Sequence, residues 1–305
     1  MARDLQVELC DAWDLGLSDG WLTRFLRRHG LKSRKLHGEP ASSSPKVVHE
    51  GLQSLQKVTD LYSPSDVYNM DETGLCYAMT PVRSICSKNM RGVKKNKTRI
   101  TLALTSNTDG SDTLPILLLG RAAKPRCFGG RTPAECGFHY KNSSKAWMNG
   151  AVYRDWLRAL DRDMRAAGRH ILLLLDNASS HSSGELALTN VRVHKLPPNT
   201  TVYLPMDAGI IATFKQHYRR KQLEWVFRKI KRREKIDKDA YIVDQRQAME
   251  WSEAIWGDMP KTQTMHNCFH RSGVIFNGVD ERSSCSYGDD VKVDEVILRT
   301  SQFHL

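Results

Sequence analysis

Three aspartates lie where the predicted backbone changes from one type of element to another. Asp71 and Asp176 each follow a short β-prone run, and Asp207 comes just before a predicted helix. Carboxylates at strand ends can converge in one cleft, and carboxylate oxygens are ligands that suit Mg²⁺ and Mn²⁺. Three converging aspartates would hold two metal ions about 4 Å apart, an arrangement suited to phosphodiester cleavage.

A structural role for the same aspartates is the simpler alternative. An aspartate after a strand is more often a turn former or a helix cap than a metal ligand. Asp71 and Glu72, followed by Gly74, are compatible with an ordinary turn, and Asp207 is compatible with a cap on the helix from Gly209 onward. Spacing alone leaves both interpretations open.

The elements that would position these carboxylates are strands and alternating helices. Residues 98–105 and 114–119 are apolar, β-prone runs separated by a polar turn with an Asp-Gly pair, which predicts paired strands. Residues 149–167 repeat apolar side chains every four positions and predict an amphipathic helix. The all-apolar run 171–175 predicts a strand buried on both faces, and 209–233 predicts a long basic helix. Together they indicate an α/β domain.

The composition excludes several classes of protein. The chain has 305 residues, a net charge of +12 and 40% hydrophobic residues, which excludes a wholly disordered chain. No apolar run approaches the roughly 18 residues of a membrane helix. Seven cysteines without a CxxC pair fit neither a disulfide framework nor a cysteine zinc site. The positive charge favours nucleic acid as partner, although charge alone also suits an anionic membrane surface.

Two basic segments, residues 19–38 and 214–235, are candidate DNA-binding surfaces. In the first, helical spacing places apolar residues on one face and arginines on the other. The basic residues predicted to contact DNA are Arg24, Arg27, Arg28, Lys32, Arg34, Lys35, Lys215, Arg219 and Arg220. For each segment a solvated surface helix is the alternative to phosphate contact.

Several motifs in a definite order carry a resemblance to a known family. They read YNMDETG at 68–74, AKPRCF at 123–128, LLLLDN at 172–177 with His181, LPPNTT at 196–201, PMDAGII at 205–211 and NCFHRSG at 267–273. Together they resemble the pogo/Tigger branch of the DDE transposases. Thirty residues lie between Asp176 and Asp207, which is the spacing of that branch.

The resemblance implies a ribonuclease-H-like catalytic core, a mixed sheet flanked by helices, over residues 66–235, with C-terminal helices over 236–275. It implies that Asp71, Asp176 and Asp207 are the catalytic, metal-binding triad, which takes two Mg²⁺ or Mn²⁺ ions for DNA strand cleavage and transfer. DNA is the implied partner and the nucleus the implied location, with no membrane, no small-molecule substrate and a homodimer as one option. For Glu72 and His181 two interpretations stay open, a supporting role at the catalytic site and a purely structural role.

The N-terminal residues 18–39 resemble the last helices of the helix-turn-helix domain named for centromere protein B. Residues 1–39 are therefore expected to be a short, truncated, all-α remnant of that domain. A Pro- and Ser-rich stretch indicates a linker over 40–65, and residues 276–305 are expected to be a divergent, flexible tail.

Two positions depart from the family pattern, since Leu204 and Ala208 stand where glutamines are usual. A domesticated or decayed DNA-binding protein without catalytic activity is therefore the alternative function.

Overall fold

The computed structural model describes residues 24, 27–28, 45–80, 96–184, 186–196, 204–232, 241–259 and 264–273. The chain divides into two units, residues 1–43 and 44–305. In the first unit Arg24, Arg27 and Arg28 are helical and exposed. Lys32, Arg34 and Lys35, most of the predicted helix-turn-helix remnant and the predicted tail lie outside the described residues.

A six-stranded mixed sheet organises the second unit. Its strands are β1 (Val67–Leu75), β2 (Ile100–Asn107), β3 (Leu117–Gly120), β4 (Tyr140–Asn142), β5 (Ile171–Leu175) and β6 (Val191–Lys195), in the order β4-β3-β2-β1-β5-β6. β2 pairs antiparallel with β1 and β3, whereas the β1–β5, β5–β6 and β3–β4 pairs are parallel. The strands predicted near 98–105, 114–119 and 171–175 are confirmed.

Helices cover both faces of this sheet. They are α1 (Pro45–Thr59), α2 (Gly150–Ala166), α3 (Ile211–Lys231), α4 (Gln245–Asp258) and α5 (Thr264–Arg271). One apolar cluster joins α2 to one sheet face, and two others join α1 and α3–α5 to the opposite face. The expected mixed sheet flanked by helices is thus confirmed. None of the described helices is both long and apolar enough to span a membrane.

The range predicted as a linker contains α1. Leu55 in this helix is 2% exposed and packs in a cluster with Val67, Leu172 and Leu174 of the sheet. The Pro- and Ser-rich composition that indicated a linker is confined to residues 40–45. Residues 45–59 therefore belong to the folded unit.

Helix α2 has the boundaries and the buried face that its sequence predicts. The Asn149 side chain accepts hydrogen bonds from the N–H groups of Ala151 and Val152, which caps the helix. Gly168 follows its last turn in a left-handed conformation (φ +65°), where glycine carries no Cβ penalty. The apolar side chains at four-residue spacing pack on the sheet.

Asp161 is a buried carboxylate that joins α2 to the start of β6. Its Oδ1 accepts the N–H groups of Thr189, Asn190 and Val191 at 2.9, 2.7 and 3.0 Å, and its Oδ2 accepts a hydrogen bond from Arg165 at 2.8 Å. Burial by itself would raise the pKa of Asp161, but these donors outweigh it and lower the pKa. The carboxylate therefore stabilises the fold at neutral pH, and its contribution is lost as the pH falls through the lowered pKa.

We expect Asp161→Asn to lower the free energy of unfolding at pH 7 by about 2–3 kcal/mol, because it removes the charge that these donors surround. Urea denaturation measures this loss, and the difference from wild type should shrink below about pH 4. Asp163→Asn is the matched control on the same helix, since that side chain is 64% exposed and pairs with its neighbour Arg162. It should cost less than about 0.5 kcal/mol. Equal losses in the two variants would contradict this role of Asp161.

Candidate active site

The register of the central strands brings Asp71 near the end of β5. Asn69 on β1 pairs with Leu174 on β5, and Asp71 and Asp176 each lie two positions beyond that pair. Residues two apart on a strand share one face, so Asp71 lies on the same face of β1 as Asn69. The strand pairing thus places two of the three predicted aspartates on adjacent strands, at the carboxyl end of β5.

The third aspartate reaches β1 through a kinked turn, Met206–Ile210, which leads into α3 and in which Gly209 has non-helical backbone angles (φ 167°, ψ −23°). The N–H of Met206 donates to Asn69 Oδ1 at 2.9 Å, and Asn69 Nδ2 donates to the carbonyl of Leu174 at 3.1 Å. The fully buried Asn69 side chain therefore joins β1, β5 and the turn that carries Asp207. Sequence reasoning gave Asn69 no role. The available signal was a polar residue between two apolar ones.

The carboxyl groups of Asp71 and Asp207 contact each other. Burial raises the pKa of Asp71 well above its usual range, and the adjacent Asp207 raises it further. Desolvation also raises the pKa of Asp207, and the charge of Asp176 adds to this, although Asp207 lies at the surface. Two carboxyls in contact share a proton or need a positive charge beside them. Lys215, one turn into α3, interacts with both charges, and its pKa is lowered, chiefly by burial.

Asp176 is held by its own loop. Its Oδ1 accepts the N–H of Ala178 at 3.1 Å and lies 2.5 Å from Nδ1 of the fully buried His181. The contact with His181 is a short ion pair without hydrogen-bond geometry, since Nδ1 makes no hydrogen bond that meets the angular requirement. Burial would raise the pKa of Asp176, but His181 outweighs it and the pKa is lowered.

Glu72 and His181 form a second polar cluster behind Asp176. Nε2 of His181 lies 3.0 and 3.1 Å from the two carboxylate oxygens of Glu72. Burial would lower the pKa of His181, but the carboxylates of Asp176 and Glu72 raise it to about 10. Glu72 and Asp71 are neighbours in sequence and lie on opposite faces of β1, so Glu72 is turned towards α2. The His181 imidazole therefore bridges the carboxylates of Glu72 and Asp176.

Across the described ranges, no three or more His, Cys, Asp or Glu residues are arranged to hold a metal ion. Asp71 and Asp207 form a pair, and Asp176 is held by His181. The donor chemistry nevertheless suits a divalent cation, because the Asp71–Asp207 pair offers carboxylate oxygens whose mutual repulsion a cation would relieve.

The predicted DNA contacts on α3 have different environments. Lys215 is half-buried beside the carboxylates, whereas Arg220 is exposed and pairs with Glu224 at 2.9 Å. Arg219 donates to the carbonyls of Cys76 and Met79 at 2.7 and 3.1 Å. Its guanidinium therefore ties α3 to the segment after β1, and these donors are engaged within the protein rather than free for DNA.

Of the two departures from the family pattern, Leu204 lies just before the kinked turn Met206–Ile210 and Ala208 lies within it. Leu204 is fully buried and packs with Leu172 and Leu174, while Ala208 is exposed. A Cβ on Gly209 would lie 2.8 Å from Sγ of Cys268, so a larger residue at this point would force the Cys268 side chain of α5 to move. The leucine at 204 thus contributes to the core beneath the site.

Comparison with known proteins adds to this geometry. The profile of a family described as DDE superfamily endonuclease matches residues 97–269. CENP-B homolog protein 2 of Schizosaccharomyces pombe is 32% identical over 273 residues, which cover 85% of this chain and 52% of that protein. Tigger transposable element-derived protein 4 of mouse is 32% identical over 213 residues, or 68% of this chain and 40% of that protein. The chain thus spans about half the length of these relatives or less.

Among solved structures, the Mos1 mariner paired end complex with Mn covers 90% of this chain and 78% of its own, with 15% identity and a TM-score of 0.43. A likeness of this size does not extend to chemistry. The relatives in the sequence comparison agree with the pogo/Tigger resemblance.

Proposed function

Because the chain belongs to the DDE superfamily endonucleases, we propose that it is a DNA-binding, transposase-derived protein of the pogo/Tigger type that cleaves and transfers DNA strands at Asp71, Asp176 and Asp207. One observation carries the proposal, which is the contact between the carboxyl groups of Asp71 and Asp207. Such a contact between like charges is unfavourable for folding, and perturbed carboxyls of this kind are concentrated at functional sites.

Each residue has a distinct part in the proposed site. Asp71, Asp207 and Asp176 would hold two Mg²⁺ or Mn²⁺ ions, which when bound would polarise the scissile phosphate and activate water or a 3′-hydroxyl. Asn69 holds the turn of Asp207 against β1, and His181 orients the carboxylate of Asp176. These contacts supply the positioning that strand cleavage needs.

Several basic side chains fit a DNA partner. Lys215 lies next to the carboxylates, where it would neutralise a phosphate, and Arg220 is exposed on α3. Arg24, Arg27 and Arg28 are exposed in the first unit. A nuclear location follows from DNA as substrate, and the oligomeric state stays a prediction.

Calorimetric titration with Mn²⁺ tests the carboxylate site. Wild type should bind the ion, and Asp176→Ala should bind it at least about tenfold more weakly, because one carboxylate ligand is lost. Asp155→Ala is a suitable control, since that carboxylate is 57% exposed on α2 and pairs with Arg158. Equal Mn²⁺ binding by folded wild type and Asp176→Ala would contradict the site.

A DNA-binding derivative without cleavage is the second candidate. The short contact between His181 and Asp176 favours this second candidate, because a carboxylate that is already paired with an imidazole is less available to a metal ion. Both candidates predict DNA binding that weakens with salt. Only the first predicts DNA nicking that depends on Mg²⁺ or Mn²⁺.

A further inference from the structure

A tryptophan is exposed among basic side chains in the loop before α2. We infer that Trp147 and Arg99 form a stacking site for unpaired nucleobases of the DNA strand that reaches the carboxylates. This inference rests on the proposed function, since it names how the same site would hold its DNA.

The Trp147 indole is covered by Arg99 on one face and remains partly exposed. The residue is 45% exposed, and the guanidinium carbon of Arg99 lies 4.2 Å from its ring centroid. Arg99 also donates to the carbonyl of Lys145 at 3.4 Å. A guanidinium stacked on an indole is a stable platform, and its planar surface can extend the stacking area offered to a base.

The loop holds Trp147 outward at a conformational cost. Ala146 has φ +51°, and it is the one non-glycine residue with positive φ in the described part of the chain. Thr101 donates to the carbonyl of Ala146 at 2.6 Å, and Ser143 Oγ bonds both the N–H and the carbonyl of Trp147 at 3.0 and 2.7 Å. Strained backbone of this kind is concentrated at functional sites, and here it keeps a large aromatic side chain in solvent.

The charge around the indole favours a polyanion. Lys97 and Lys145 are exposed and Arg99 is partly exposed, and none of the three pairs with a carboxylate within the described ranges. Residues 96–101 and 140–154 contain no Asp or Glu. An aromatic side chain beside basic side chains that have no acidic partner is the combination that proteins use to bind single-stranded nucleic acid.

The platform lies beside the end of β1, on the face of this strand opposite to that of Asp71. A Cβ on Gly74 would lie 3.7 Å from Cδ of Arg99, and Gly74 is three residues beyond Asp71 on β1. At about 3.3 Å per residue, that separation is about 10 Å along the strand. Because β1 extends beyond its pairing with β5, a single strand of a few nucleotides would pass around this open edge from a base on Trp147 to a phosphate at Asp71.

Fluorescence anisotropy with the full chain in EDTA tests this site without cleavage. The probes are a labelled single strand of about 12 nucleotides and the same strand with abasic sites throughout its centre. Trp147→Ala should bind the intact strand about tenfold more weakly than wild type, because the stacking surface is removed. Trp147→Phe should bind nearly as wild type, and the abasic strand should not distinguish wild type from Trp147→Ala.

Phe227→Ala is the matched control. Phe227 is 50% exposed on α3 beneath the Lys231 ammonium, and it lies in a different element from the platform. An equal loss in Phe227→Ala and Trp147→Ala would mean that any exposed aromatic contributes, and would overturn the assignment. Wild-type binding of the intact strand by folded Trp147→Ala would also overturn it, while leaving the carboxylate site intact. Trp147-dependent binding in a protein that never nicks DNA would instead support the platform and refute the proposed cleavage.

Discussion

Asp176→Asn is expected to abolish metal-dependent nicking of supercoiled DNA, with a fall in rate of at least about a thousandfold. The asparagine keeps the size of the side chain and can still accept the N–H of Ala178. It removes the negative charge that a divalent ion requires. In wild type, His181 orients the carboxylate that carries this charge. Agarose-gel conversion of supercoiled to open circular plasmid in Mg²⁺ or Mn²⁺ measures the rate.

Two controls make this result specific. Asp155→Asn, an exposed carboxylate on α2, should nick at the wild-type rate. DNA binding in EDTA should not be weakened in Asp176→Asn, since the substitution removes a negative charge and leaves every basic side chain in place. Nicking by Asp176→Asn at the wild-type rate would exclude the proposed chemistry. A wild type that binds DNA and never nicks it would favour the non-catalytic alternative.

Asn69→Leu is expected to lower the free energy of unfolding by about 2–4 kcal/mol and to slow nicking by about a hundredfold in the folded protein. Leucine has a similar size and makes no hydrogen bonds. The substitution leaves the N–H of Met206 without its acceptor inside the core and releases the turn that carries Asp207. Urea denaturation measures the stability, and plasmid nicking well below the melting temperature measures the rate.

Asn142→Ala provides the comparison for Asn69. Asn142 is exposed at the end of β4, so its loss should cost less than about 0.5 kcal/mol and leave nicking unchanged. DNA binding by Asn69→Leu should persist, because the basic side chains are untouched. If Asn69→Leu lost stability and kept full nicking activity per folded molecule, Asn69 would be structural only.

Much of the fold could be predicted because its signals are local. The all-apolar run at Ile171–Leu175 predicts a buried strand, and the apolar spacing before Gly168 predicts α2. The helix α1 was missed, since the Pro- and Ser-rich residues before it suggested a linker over the whole range 40–65. Burial of Leu55 against β5 decides that segment, and such a contact has no local signal.

By itself the sequence determined which aspartates to consider, because each follows or precedes a recognisable element and together they match an ordered family pattern. It left open whether they meet, since spacing along a chain says nothing about distance between elements. Strand register sets Asp71 beside the end of β5, and the buried Asn69 holds Asp207 against Asp71. Those placements depend on hydrogen bonds between residues more than a hundred positions apart, and only the tertiary structure forms them.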